Sequence, residues 1–91
     1  MLKHLFEPFT IKGRNLKNRI VMPGLASFLI EDDGSINDKT VEHYRGRASG
    51  GPAMVIVEAC AVSPEGIVSP HQARIYDDRF IEGLSRIARV M

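Results

Sequence analysis

The sequence predicts an α/β fold, made of a short β-hairpin and two consecutive βα units. Three observations carry that reading. Ile20-Val21-Met22 is a short apolar run that ends at Pro23-Gly24, where proline removes the N–H a continuing ladder would use. Ala53 to Ala59 is a nearly unbroken apolar run, the pattern of a parallel strand buried on both faces. Each run is followed by apolar residues at helical spacing, and the strand starts lie about 35 residues apart, which suits a right-handed βαβ connection.

The hairpin comes first. Phe9-Thr10-Ile11 alternates apolar and polar, Lys12-Gly13 supplies turn chemistry, and Arg14-Asn15-Leu16 returns. The first strand of the main sheet is expected from about Asn18 to Met22. Residues 27–36 form a loop centred on Glu31-Asp32-Asp33-Gly34. Asn37 then caps a helix over Asp38–Ser49, with Asp38 and Glu42 near its positive end. Val41, Tyr44 and Ala48 share one face of it, and Gly50-Gly51-Pro52 ends it. After the second strand, the stretch from Ser63 to Tyr76 holds Pro64, Gly66 and Pro70, and reads as a loop that serves as functional surface or cover. A second helix starts near Asp77-Asp78, with Phe80, Leu84, Ile87 and Met91 as its buried stripe.

Composition narrows the function. The length of 91 residues suits one small domain, and a net charge of +1 gives no support to nucleic-acid or acidic-membrane binding. Cys60 is the only cysteine, so no internal disulfide framework exists and a reducing compartment fits. Residues 1–6 are too short and too interrupted for a signal peptide, and no apolar run approaches the roughly 20 residues of a membrane span. A cytoplasmic protein is expected. His4, His43 and His71 have no ligand-like spacing, so no metal site is expected.

Six short words occur in a telling order: Leu5-Phe6-Glu7-Pro8, the run from Leu16 to Met22, Asp32-Asp33-Gly34, Tyr44-Arg45-Gly46-Arg47-Ala48, Val55-Ile56-Val57-Glu58-Ala59 and Ile75-Tyr76-Asp77-Asp78. In these words the chain resembles the Old Yellow Enzyme-type flavin oxidoreductases, a family that includes the bacterial dienoyl-CoA reductases. The resemblance implies the N-terminal fragment of a TIM (βα)8 barrel, because a complete barrel needs about 250 residues. Residues 1–91 would form a partial FMN-binding barrel domain. The resemblance also implies FMN as cofactor, NAD(P)H as reductant and an activated C=C bond, in an enone or enoyl compound, as substrate.

Carried over by position, Pro23, Gly24, Leu25 and Ala26 match the family's flavin-contacting turn after the first strand, and Ala59 matches the alanine that ends the second. Phe28 stands about where some members place a substrate-facing tyrosine, where it would stack on a substrate without donating a proton; a plain loop anchor is the other reading. Where the family usually has Pro-Met followed by Thr or Cys, this chain has Gly24-Leu25-Ala26, so Ala26 offers no side-chain hydrogen bond to the flavin N5/O4 edge. The family's catalytic histidines lie well beyond the second strand. No catalytic residue is therefore expected here, and His71 does not take that role.

Physical chemistry alone reads the Pro23–Ala26 turn as a place where an α/β protein holds a ligand, or as a plain strand terminator. Glu58, the one charge in its strand, needs a partner, and Arg19 is the expected one. Cys60 follows the strand end, a place near a flavin in the resembling family, but is expected to be merely buried. Two functions remain open. One is the N-terminal part of an FMN oxidoreductase, inactive alone; the other is a non-catalytic, self-associating βα module without flavin. In both, open strand edges need covering by the remainder of the barrel or by a second copy. The second strand or the Phe80/Leu84/Ile87 face is the expected contact surface.

Overall fold

Two residues make the hairpin. In the computed structural model, which describes residues 2–91, Lys12 and Gly13 both take positive φ, 47° and 81°. A turn of that hand matches the twist of the strands it joins. Strand β1 (Phe9–Ile11) pairs antiparallel with β2 (Arg14–Leu16), Phe9 opposite Leu16. Met1, the first residue of the segment weighed as a signal peptide, lies outside the described residues.

The βαβ unit follows. Strand β3 (Val21–Met22) runs parallel to β4 (Met54–Val55), with Val21 opposite Met54. Ala53 N–H donates to Ile20 O at 3.0 Å and Ile56 N–H to Met22 O at 2.9 Å, extending the pairing at both ends. The connecting helix α1 (Asp38–Ser49) starts at Asn37, whose side chain accepts the Thr40 N–H at 2.8 Å. That bond satisfies one of the free donors of the first turn. Val41 and Tyr44 are buried on the predicted face, and α1 packs against helix α2 (Ile81–Val90). A 3₁₀ turn over Asp78–Phe80 leads into α2, with the Asp77 side chain accepting the Arg79 N–H at 3.0 Å.

Four expectations need correction. The run from Ala53 to Ala59 is not buried on both faces: Ile56 is 48% exposed, because β4 has β3 as its only strand partner among the described residues. The stretch from Ser63 to Tyr76 is not all loop. It holds a 3₁₀ turn (Pro64–Gly66) and strand β6 (Ala73–Arg74), which pairs parallel with β5 (Cys60–Ala61). A two-residue strand has no period to read, and the burial of Ala73 arises only from that pairing. The α2 stripe loses its last member, since Met91 follows the final helical turn and is exposed. Finally, the face of Phe80 and Ile87 is no free contact surface, because both residues are buried within the chain itself. Exposed apolar side chains on the strands and their loops include Val21, Ile56, Val62 and Val68.

No described helix is long and apolar enough to cross a membrane. The architecture is a hairpin, a parallel βαβ unit, and a second helix that follows the next pair of short strands, the order expected of the N-terminal portion of a TIM barrel.

Candidate functional site

Because β3 and β4 are parallel, their chains leave the sheet at the same end. Here the turn after β3 passes close above the continuation of β4. A Cβ on Gly24 would lie 3.0 Å from Val57 O, so glycine permits a backbone approach that any side chain would obstruct. Gly24 is thus packed on its own chain, while the Leu25 side chain is exposed.

Past this crossing lies a hollow of about 300 Å³. Ala26 and Phe28 line it from the β3 side, Glu58 and Ala59 from the β4 side, and Val68, Ser69, His71 and Gln72 from the following loop. Ala26, Phe28 and Ala59, separately picked out in the sequence, therefore meet around one space. Pro23, Gly24 and Leu25 do not line it. The sequence does not mark these loop residues individually, although the proline- and glycine-rich stretch that carries them reads as functional surface or cover. They are held in place: Gln72 Oε1 accepts the Val68 N–H at 2.6 Å, and His71 Nδ1 lies 2.7 Å from Ile30 O. Alanine at 26 and 59 keeps the hollow open, and its apolar walls suit a flat, largely apolar ring system.

Glu58 is buried, 3% exposed, at the edge of this hollow. Its Oε2 accepts the Ser27 N–H at 3.0 Å; its Oε1 accepts the Ser27 hydroxyl at 2.8 Å and the Tyr44 hydroxyl at 2.9 Å. Tyr44 Oη in turn accepts the Glu58 N–H at 3.0 Å. The expected partner, Arg19, is elsewhere. Its guanidinium lies over the Phe9 ring and 3.8 Å from Glu7, and both charged side chains are half-exposed. The register explains the correction: Arg19 precedes β3, whereas Glu58 follows β4, so the two stand at opposite ends of a parallel pair. Helical spacing places Tyr44 on the apolar face of α1 and does not by itself give its hydroxyl a partner. Its hydroxyl, which needs a partner once buried, was the available signal.

Burial pushes the Tyr44 phenol well above its ordinary range, and the adjoining Glu58 carboxylate adds to the effect. Cys60 is half-buried rather than buried as expected, and that partial burial still raises its thiol, with the Glu58 charge as a second cause. A thiol raised in this way is a poor nucleophile at neutral pH. Among the described residues no group of three or more His, Cys, Asp or Glu side chains is arranged to hold a metal ion.

Comparison with known proteins agrees with this architecture. The chain is 40% identical to an NADPH dehydrogenase of Clostridium acetobutylicum over 85 residues, covering 93% of this chain and 25% of that protein. It is 43% identical over 84 residues to an NADPH dehydrogenase of Bacillus pumilus, covering 91% of this chain and 25% of that protein. The chain thus spans about a quarter of the length of the curated relatives it matches. Among solved structures, a 2-naphthoyl-CoA reductase in complex with 2-naphthoyl-CoA shares the fold, with a TM-score of 0.94 at 23% identity over 99% of this chain and 14% of that one. The Old Yellow Enzyme homologue from Zymomonas mobilis superimposes with a TM-score of 0.85 at 30% identity, covering 94% of this chain and 24% of that one. The model of the NADH:flavin oxidoreductase / NADH oxidase family matches residues 4–90, and the chain belongs to that family.

Proposed function

We propose that residues 1–91 are the N-terminal segment of an FMN-dependent oxidoreductase that moves hydride from NAD(P)H to an activated C=C bond, and that this segment is inactive alone. The observation that carries the reading is the hollow at the strand ends, where Ala26, Phe28 and Ala59 converge in a chain of this family. FMN, when bound, supplies the redox chemistry. The chain's own residues bind and orient: Ala26 and Ala59 form the close walls for the ring, and the Pro23–Leu25 turn brings the backbone of residue 26 to it. Phe28, 67% exposed at the rim, offers an aromatic face to an enone or enoyl substrate. Ala26 leaves the ring's polar edge without a side-chain donor from this turn.

The rest of the barrel supplies the chemistry that this segment lacks and covers the exposed Val21 and Ile56. The protein is expected in the cytoplasm. The test is FMN titration, followed by quenching of flavin fluorescence, with the complete polypeptide and its Ala59→Leu variant. Filling the hollow should weaken FMN by about tenfold or more, the effect of about 1.4 kcal/mol, while far-UV circular dichroism is unchanged. A polypeptide that takes up no FMN and runs as a stable oligomer would favour the self-associating module instead.

A further inference from the structure

We propose that Glu58 is a positioning residue, which grips Ser27 and thereby fixes the Ala26 and Phe28 wall of the hollow. The proposal rests on the function above only for what the hollow holds.

The starting observation is Phe28, whose φ of +60° is a left-handed conformation that bulky side chains rarely adopt. Such a backbone persists where its surroundings over-determine it, often at a ligand site. The surroundings here are specific. Ser27 Oγ accepts the Leu29 N–H at 3.3 Å, bridging Phe28, and Asn37 Nδ2 donates to Leu29 O at 2.7 Å. Ser27 is in turn held twice by the Glu58 carboxylate, through its N–H and its hydroxyl. Tyr44 keeps that carboxylate from turning away, since its hydroxyl donates to Oε1 while accepting the N–H of Glu58 itself.

All three donors to the carboxylate are neutral, and no ion pair among the described residues includes Glu58. The charge is thus directed at one serine of the loop and one tyrosine of α1. Hydrogen bonds to an ionised acceptor are about twice as strong as neutral ones, so Ser27 is the best-held point of the loop. Ala26 and Phe28 flank it and both face the hollow, so moving Ser27 moves both walls.

The test uses the complete polypeptide with Glu58→Gln, which keeps the shape and removes the charge, and with Glu58→Asp, which keeps the charge and draws it back from Ser27. Amide hydrogen exchange at Ser27 and Leu29 reports the loop, and exchange along α1 reports the fold. Glu58→Gln should speed exchange at Ser27 and Leu29 by about tenfold, with α1 nearly unchanged. FMN affinity should fall by a similar factor. Unchanged loop exchange, or equal acceleration throughout α1, would overturn the proposal, as would undiminished FMN affinity in a variant whose loop is loosened. Should Glu58→Gln not fold, Glu58→Asp decides, because every bond inside the loop is kept: faster exchange at Ser27 and Leu29 supports the device and unchanged exchange sinks it. A wild-type protein that takes up no FMN refutes the proposed function, while the exchange measurements still judge Glu58.

Discussion

The two ends of the β3–β4 pair are each closed by one buried polar side chain, and the two closures differ in kind. Before β3, Asn18 is 8% exposed and bonds only to backbone. Its Nδ2 donates to Gly51 O at 2.8 Å, and its Oδ1 accepts the N–H groups of Ile20 and Ala53, both at 3.0 Å. A neutral amide there staples the starts of the two strands and reaches nothing else. Beyond β4, Glu58 brings a charge and binds side chains from a loop and a helix. The first arrangement serves the sheet alone. The second joins the sheet to α1 and to a loop whose Ala26 and Phe28 line a hollow, as expected of the end of a barrel where ligands bind.

The sharpest way to break this comparison is Glu58→Ala. It leaves the buried Tyr44 hydroxyl and both Ser27 donors without their acceptor, and should lower stability by about 3 kcal/mol in chemical denaturation. Asn18→Ala is next, at about 2 kcal/mol, because the Ile20 and Ala53 amides lose a buried acceptor. Its FMN affinity should stay near wild type; a loss as large as that of Glu58→Gln would erase the distinction between the two ends.

The pH dependence separates the ends further. The folded pKa of Tyr44 is raised above an ordinary value of 10, so its contribution is fully present below about pH 10 and is lost as pH climbs beyond it. Cys60, raised above an ordinary 9, adds a loss of the same sign that begins near pH 9. Tyr44→Phe should cost about 1 kcal/mol at neutral pH and flatten the alkaline fall above pH 10, which denaturation midpoints across that range will show. Asn18 does not titrate and should leave the profile unchanged. The smallest effect is expected for Arg19→Met, below about 0.5 kcal/mol, since its contact with Glu7 is long and half-exposed. A loss of several kcal/mol there would restore Arg19 as a partner of buried charge.

Most of the local structure could be read along the chain. Lys12-Gly13 specified the hairpin turn, Asn37 the start of α1, and Asp77 the entry to α2, because each works through bonds to backbone within a few residues. The parallel β3–β4 pairing followed from two apolar runs separated by a helix. The site was legible as separate pieces. Ala26, Phe28 and Ala59 could be singled out, and Glu58 announced that it needed a partner, since a carboxylate in an apolar strand cannot remain unpaired.

Which partner it found was decided only in three dimensions. Ser27, Tyr44 and Glu58 come from a loop, a helix and a strand end, and no periodicity links their positions. The same holds for β5 and β6, whose pairing is too short to leave a pattern, and for the open face of β4, which pairs with no further strand among the described residues. Sequence determined the elements because turns, caps and apolar periods act over a few residues. Tertiary structure decided the contacts of the buried carboxylate and the shape of the hollow, because those depend on where distant segments meet.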